Sequence, residues 1–171
     1  LTNYEDDLTQ YNVTNRIINY YDETKEIAAI NKEFELREQD VLFNYNSSKA
    51  MLNELEKQMD SNIKRVIHNV QLVDKINQAS DLTGKITQME TISTSSEDSG
   101  RQLLEYKNKL LQTRRDLSEI SNQYVAGQYT KEGLNKGTIV EQWLDQLLLF
   151  EKAKAELKIV QKSRIELNAK Y

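Results

Sequence analysis

The sequence predicts an all-α protein, an elongated antiparallel bundle or coiled coil of three to four long helices, on three observations. The 171 residues include no proline and only five glycines, so the turns that a many-stranded sheet requires have almost nothing to build them. Residues 1–83 hold neither Gly nor Pro, and apolar side chains recur there at intervals of three and four, the period of one helix face. The mean hydropathy of -0.73, with one Trp and three Phe, describes a thin core and an extended shape. The whole of 1–171 reads as a single helical domain or fragment; a chain that opens on Leu1 and reaches Tyr171 without a helix stop signal is expected to be a processed or excised one.

Helices are expected over about 3–44, 49–91, 101–126 and 138–170, with loops near 92–100 and 127–137. In the first, Leu1, Tyr4, Leu8 and Tyr11 and then Ile27, Ile30 and Phe34 fall on helical spacing. The run Asn44 to Ser48 competes for backbone hydrogen bonds, and Ser48 can cap a new helix, so a turn or kink is expected there. From Leu52 the spacing is cleaner: Leu55, Met59, Ile63, Val66, Val70, Val73 and Ile76 follow, continuing to Ile86 and Met89. About forty residues of helix would be roughly 60 Å long. Ile92 to Gly100 lacks apolar periodicity and collects small polar residues, which marks a loop.

After that loop, Leu103, Tyr106, Leu110, Leu117, Ile120 and Tyr124 alternate three and four apart, with Thr113 at the missing position, as in a coiled-coil strip. Gly127, Gly133 and Gly137 mark a second connection, with room for one short helical turn inside. The last helix carries Val140, Trp143, Leu147, Phe150, Leu157, Val160, Leu167 and Tyr171. Trp143, Leu147 and Phe150 are the expected anchors of this helix, with Leu117, Ile120 and Tyr124 as their counterparts in core or contact. Leu144 and Leu148 widen its apolar face enough to meet two neighbours or a partner.

Charge is distributed unevenly. Residues 1–60 carry 6 basic and 13 acidic side chains, residues 101–171 carry 13 basic and 9 acidic, and the whole chain has a formal net charge of -4. An acidic first part and a basic last part favour packing on one another, although each exposed pair contributes well under about 1 kcal/mol. The basic residues Arg101, Lys107, Lys109, Arg114, Arg115, Lys152, Lys154, Lys158, Lys162 and Arg164 are interleaved with Glu. No nucleic-acid partner is expected from such a mixture, and a membrane surface is a less favoured partner than another protein.

The chemistry-bearing inventory is poor, and no cofactor or metal is expected. His68 is the sole histidine and cysteine is absent, so neither a Cys/His zinc site nor the paired Glu-x-x-His of a di-metal bundle can be assembled. Ser93 to Asp98 offers oxygen ligands without the Asp/Asn alternation and closing Glu of an EF-hand loop. Thr83-Gly84-Lys85 lacks the earlier glycine and the preceding strand of a phosphate-binding loop. Glu33, Glu35, Glu38 and Asp40 read as a solvated helix face. Two sequons, Asn12-Val13-Thr14 and Asn46-Ser47-Ser48, would accept glycans only in a eukaryotic secretory setting.

Tyr124-Val-Ala-Gly127, followed by Gly137-Thr-Ile-Val140-Glu-Gln-Trp-Leu-Asp145-Gln and then Leu148, Phe150 and Ala153-Lys-Ala-Glu-Leu157, resembles the last helical segment of TolC-like outer-membrane export channels. Gly127-Gln-Tyr-Thr130-Lys-Glu also resembles part of the tip that joins the two helical arms of HlyD-like periplasmic export adaptors. The stretch from Gly127 to Gly137 is an insertion relative to the channel pattern, and Gln123 stands where the adaptor pattern has Leu. The resemblance covers roughly the last fifty residues. It implies a helical hairpin of a bacterial export assembly, working by helix contact in the periplasm or cell envelope.

Taken together, these features describe a non-enzymatic helical interaction or scaffolding module that acts through coiled-coil contacts with protein partners, including self-association. The export hairpin is one alternative. A membrane-surface bundle of the BAR kind, using the basic residues of the last helix, is another.

Overall fold

The structure, a computed structural model, describes residues 2–91 and 96–170, with side chains from residue 6 onward. Among the described residues the chain is all-α. It forms α1 (Thr2–Lys57), α2 (Ser61–Ile67), α3 (Val70–Thr91), α4 (Glu97–Val125) and α5 (Lys136–Lys170). The loop expected near 92–100 is shorter at its second end, because Ser96 accepts from the Ser99 amide and opens α4 at Glu97; residues 92–95 lie outside the described residues.

α1 runs through the run Asn44 to Ser48, where a turn was expected. The side chain of Ser48 is buried on the packed face of this helix, and burial of that face outweighs the local competition for backbone hydrogen bonds. The breaks come later, inside the apolar stripe that continues from Leu52. Asp60 accepts from the Ile63 amide at 2.9 Å and caps α2. Asn69 Oδ1 accepts from the Gln71 amide at 3.0 Å beside the start of α3. The seven-residue α2 therefore forms a corner between α1 and α3, and Val70, one of the expected stripe residues, is exposed.

The core gathers Leu52, Leu55, Met59, Ile63, Val66 and Ile67 from the first corner, Leu72 and Ala79 from α3, Leu117 and Val125 from α4, and Ile139, Val140, Trp143 and Leu144 from α5. α5 packs chiefly on α1 and α3, and α4 chiefly on α3. Contacts along α5 descend α1 as they ascend α5. Trp143 Nε1 donates to Glu56 Oε1 at 3.3 Å, Phe150 stacks on Tyr45, and Arg164 Nη1 donates to Glu38 Oε2 at 2.9 Å. Across α3 and α4, Lys75 pairs with Asp116 at 3.2 Å and Lys107 with Glu90 at 2.9 Å.

Along α1 a stripe of buried and half-buried residues from Ile27 to Leu55 alternates three and four apart: Ile27, Asn31, Phe34, Glu38, Val41, Tyr45, Ser48, Leu52, Leu55, with half-buried Leu42 beside it. A seven-residue repeat of this kind keeps one seam facing one neighbour over many turns. Here the neighbour is α5.

Candidate interaction surface

The same alternation continues N-terminally from Ile27 through Thr24, Tyr20, Ile17 and Val13. Among the described residues no other helix covers this stretch: every side chain from Asp6 to Glu26 is exposed, with Val13 at 49%, Ile17 at 62% and Tyr20 at 73%. Leu8, Tyr11, Ile18 and Tyr21 add apolar surface on the other sides of the helix. At about 1.5 Å per residue these 21 residues form an arm roughly 30 Å long. Single exposed apolar residues are ordinary, but a run of them along one unpartnered helix marks a contact surface. Leu8 and Tyr11, expected to share a face with Ile27 and Phe34, lie off the packed stripe. Leu1, and the side chain of Tyr4, fall outside the described residues.

The expected anchors are distributed between core and edge. Trp143 and Leu117 are buried in the core, and Leu147, Phe150 and Ile120 are partly buried against it. Phe150 stacks on Tyr45 with ring centroids 4.9 Å apart. Tyr124, expected in core or contact, is 41% exposed, and its hydroxyl accepts from Asn69 Nδ2 at 3.3 Å. It stands at the last turn of α4, where the corner between α2 and α3 supplies a polar neighbour in place of an apolar one.

The connection between α4 and α5 spans 126–135 and contains no helical turn. Gly127 and Gly133 adopt φ values of +72° and +84°, a region costly to side chains with a Cβ. The Thr130 amide donates to the Leu134 carbonyl at 2.8 Å, and the Leu134 amide returns a bond to Thr130 Oγ1 at 3.1 Å. Gly137, expected as a third turn glycine, lies inside the first turn of α5, where a Cβ would stand 3.2 Å from Asn135 Oδ1.

A polar cluster that spacing alone does not reveal ties α4 to α5. Arg114 donates to Asp145 Oδ1 and Glu141 Oε2, each at 2.7 Å, and to Ser118 Oγ at 2.6 Å. Burial works to lower the pKa of Arg114, but the bonds to Asp145 and Glu141 outweigh it and hold the guanidinium above its ordinary value. Arg114 thus belongs to an internal ion-pair cluster and not to an anionic-partner patch. Arg164, Lys107, Lys109 and Arg101 are likewise engaged with Glu38, Glu90, Glu105 and Asp98. An open groove between α3 and α5 is lined by Lys85, Lys154, Lys158 and Lys162 together with Asp81, Glu151, Ala155 and Ile159. In it Lys85 pairs with Asp81 at 3.1 Å, which raises its pKa.

Thr83, Gly84 and Lys85 sit inside α3, so their backbone amides are committed to the helix. His68 is exposed and is the C-cap of α2, its backbone N–H donating to the Lys64 carbonyl. Among the described residues no three His, Cys, Asp or Glu side chains converge as metal ligands, and no helix is long and apolar enough to cross a membrane. Compared with known proteins, the chain matches no family model, no curated protein and no solved structure.

Proposed function

We propose that this chain is a non-enzymatic helical interaction module: an elongated antiparallel bundle whose coiled-coil stripe on α1 holds α5 along one part and receives a protein partner along the other. The observation that carries the reading is the arm of α1, where Val13, Ile17 and Tyr20 extend the packed stripe into solvent. Exposed apolar surface in such a line carries a standing cost in water and a hazard of aggregation, and it is relieved when another helix covers it. The body supplies a rigid base for the arm through the α1–α5 seam.

The test is retention of proteins from a lysate of the source organism on the immobilised chain and on a variant carrying Val13→Ser, Ile17→Ser and Tyr20→Ser. Proteins held by the unaltered chain should be lost from the variant while its melting temperature stays within about 2 °C, since the altered side chains pack on nothing in the body. An identical retained set on both would overturn the reading. A second reading, a membrane-surface bundle, draws on the four lysines of the α3–α5 groove. Salt-sensitive co-sedimentation with anionic liposomes would support it, and no binding at low salt would remove it. The export-hairpin reading stays a proposal resting on the residues of the α4–α5 connection.

A further inference from the structure

We infer that the occupant of the arm is a second copy of this chain, lying alongside it in the opposite sense, with Val13, Ile17, Tyr20 and Thr24 of each copy forming a shared seam. The inference deepens the interaction reading and rests on it. Its geometry follows from the repeat. The stripe is buried or half-buried as far as Ile27, packs on α5, and continues in the same register beyond Ile27. A helix covering the arm therefore meets a surface shaped for opposite-sense packing of the kind α5 makes. Set two arms in opposite senses and Ile17 falls opposite Tyr20 of the second copy, and Val13 opposite Thr24, with each layer repeated by the two-fold axis.

Charge selects both the partner and the direction. Arg16 and Glu23 are the residues that immediately precede Ile17 and Thr24 on the same flank of the seam, seven apart. In the opposite-sense register Arg16 of each copy lies beside Glu23 of the other, giving two pairs of opposite charge. Pairing in the same sense would instead set Arg16 beside Tyr21 and Glu23 beside Ala28, with no charge pair at all. Flanking charges of this kind fix partner and orientation in helix pairs more than they add affinity. By helical spacing Asp22 and Glu26 lie away from the seam and do not meet their counterparts across it. With only four layers, two of them Val13 against Thr24, the interface is small, so the association is weak and concentration-dependent. The competing seat for an acidic arm is the lysine groove between α3 and α5, and the experiment must separate the two.

Sedimentation equilibrium of the 171-residue chain over a wide concentration range is the experiment. The mass should rise from 20.0 kDa toward twice that value. Arg16→Glu and Glu23→Arg should each weaken association by about tenfold, since each replaces two opposite pairs by two like ones. An equimolar mixture of these two variants should associate again, to within about threefold of the unaltered chain, and the double variant should pair with itself. Unchanged thermal melts for all of them keep the result a statement about the arm. A chain that stays at 20.0 kDa at every concentration would overturn the inference, as would association indifferent to both reversals or a mixture that fails to associate. Loss of association on Lys154→Glu with Lys158→Glu, with no rescue in the arm mixture, would assign the arm to the groove and equally overturn it. If the chain stays monomeric but the serine variant of the arm still loses a retained protein, the self-pairing fails and the interaction reading stands.

Discussion

Arg164 Nη1 donates to Glu38 Oε2 at 2.9 Å, near the C-terminal end of α5, and fastens that end to the packed part of α1. Both side chains are partly exposed, so the pair contributes no more than about 1 kcal/mol. Its effect is local. Arg164→Ala should lower the melting temperature by only about 2 °C while amide exchange in 160–170 speeds up markedly, measured by hydrogen exchange with mass spectrometry. Unchanged exchange in that segment would mean the end of α5 is held by its apolar contacts alone.

Asn31 occupies a seam position, and its Oδ1 is buried without a hydrogen-bond partner among the described residues. An unpartnered buried amide oxygen costs about 1–3 kcal/mol, and a leucine there would add apolar contact with α5. Asn31→Leu should therefore raise the melting temperature by several degrees at about 2–4 °C per kcal/mol. A lower melt would show that the amide fixes the register of the seam at a benefit larger than its desolvation cost.

Trp143 is buried against the corner of α1 and α2, with its indole N–H donating to Glu56. Truncation leaves a large void in the core, and Trp143→Ala should destabilise the fold by about 3 kcal/mol or more. Urea unfolding measures this. A midpoint unchanged within error would place the indole outside the core.

Asp60 predicts a pH dependence. Its bond from the Ile63 amide, and then Lys136 at 3.0 Å, hold its carboxyl below the ordinary aspartate value. A depressed folded pKa means stabilisation that is fully present above the unfolded value of about 3.9 and is lost as pH falls through the folded value. Asp60→Asn keeps an oxygen for the cap but leaves Lys136, largely buried, without its carboxylate. The variant should be less stable at pH 7, and the difference from the unaltered chain should shrink steadily below about pH 4. A difference that stays constant down to pH 2 would remove the charge from the account.

Much of the fold was legible in the sequence because α4 and α5 announce themselves. Leu103, Tyr106, Leu110, Leu117 and Ile120 recur at helical spacing and pack as that spacing implies, and Gly127 and Gly133 mark the turn that their positive φ values require. The breaks at 58–60 and 68–69 were hidden, because the apolar spacing runs unbroken from Leu52 to Ile76 while the signals that interrupt it are two polar caps, Asp60 and Asn69. The long stripe of α1 was hidden for the opposite reason. Thr24, Asn31, Glu38 and Ser48 occupy its seam positions, so the hydrophobic pattern looks broken where the packing is continuous. The arm's exposure has no sequence signal at all, since it depends on where α5 stops covering α1.

Hydrogen exchange along α1 tests the central claim most directly, because one continuous helix is said to be body over part of its length and open surface over the rest. In dilute solution the amides of 6–24 should exchange rapidly while those of 34–57 stay protected by the α5 seam, and the arm should gain protection as concentration rises. Equal protection along the whole of α1 at the lowest concentration would contradict the account.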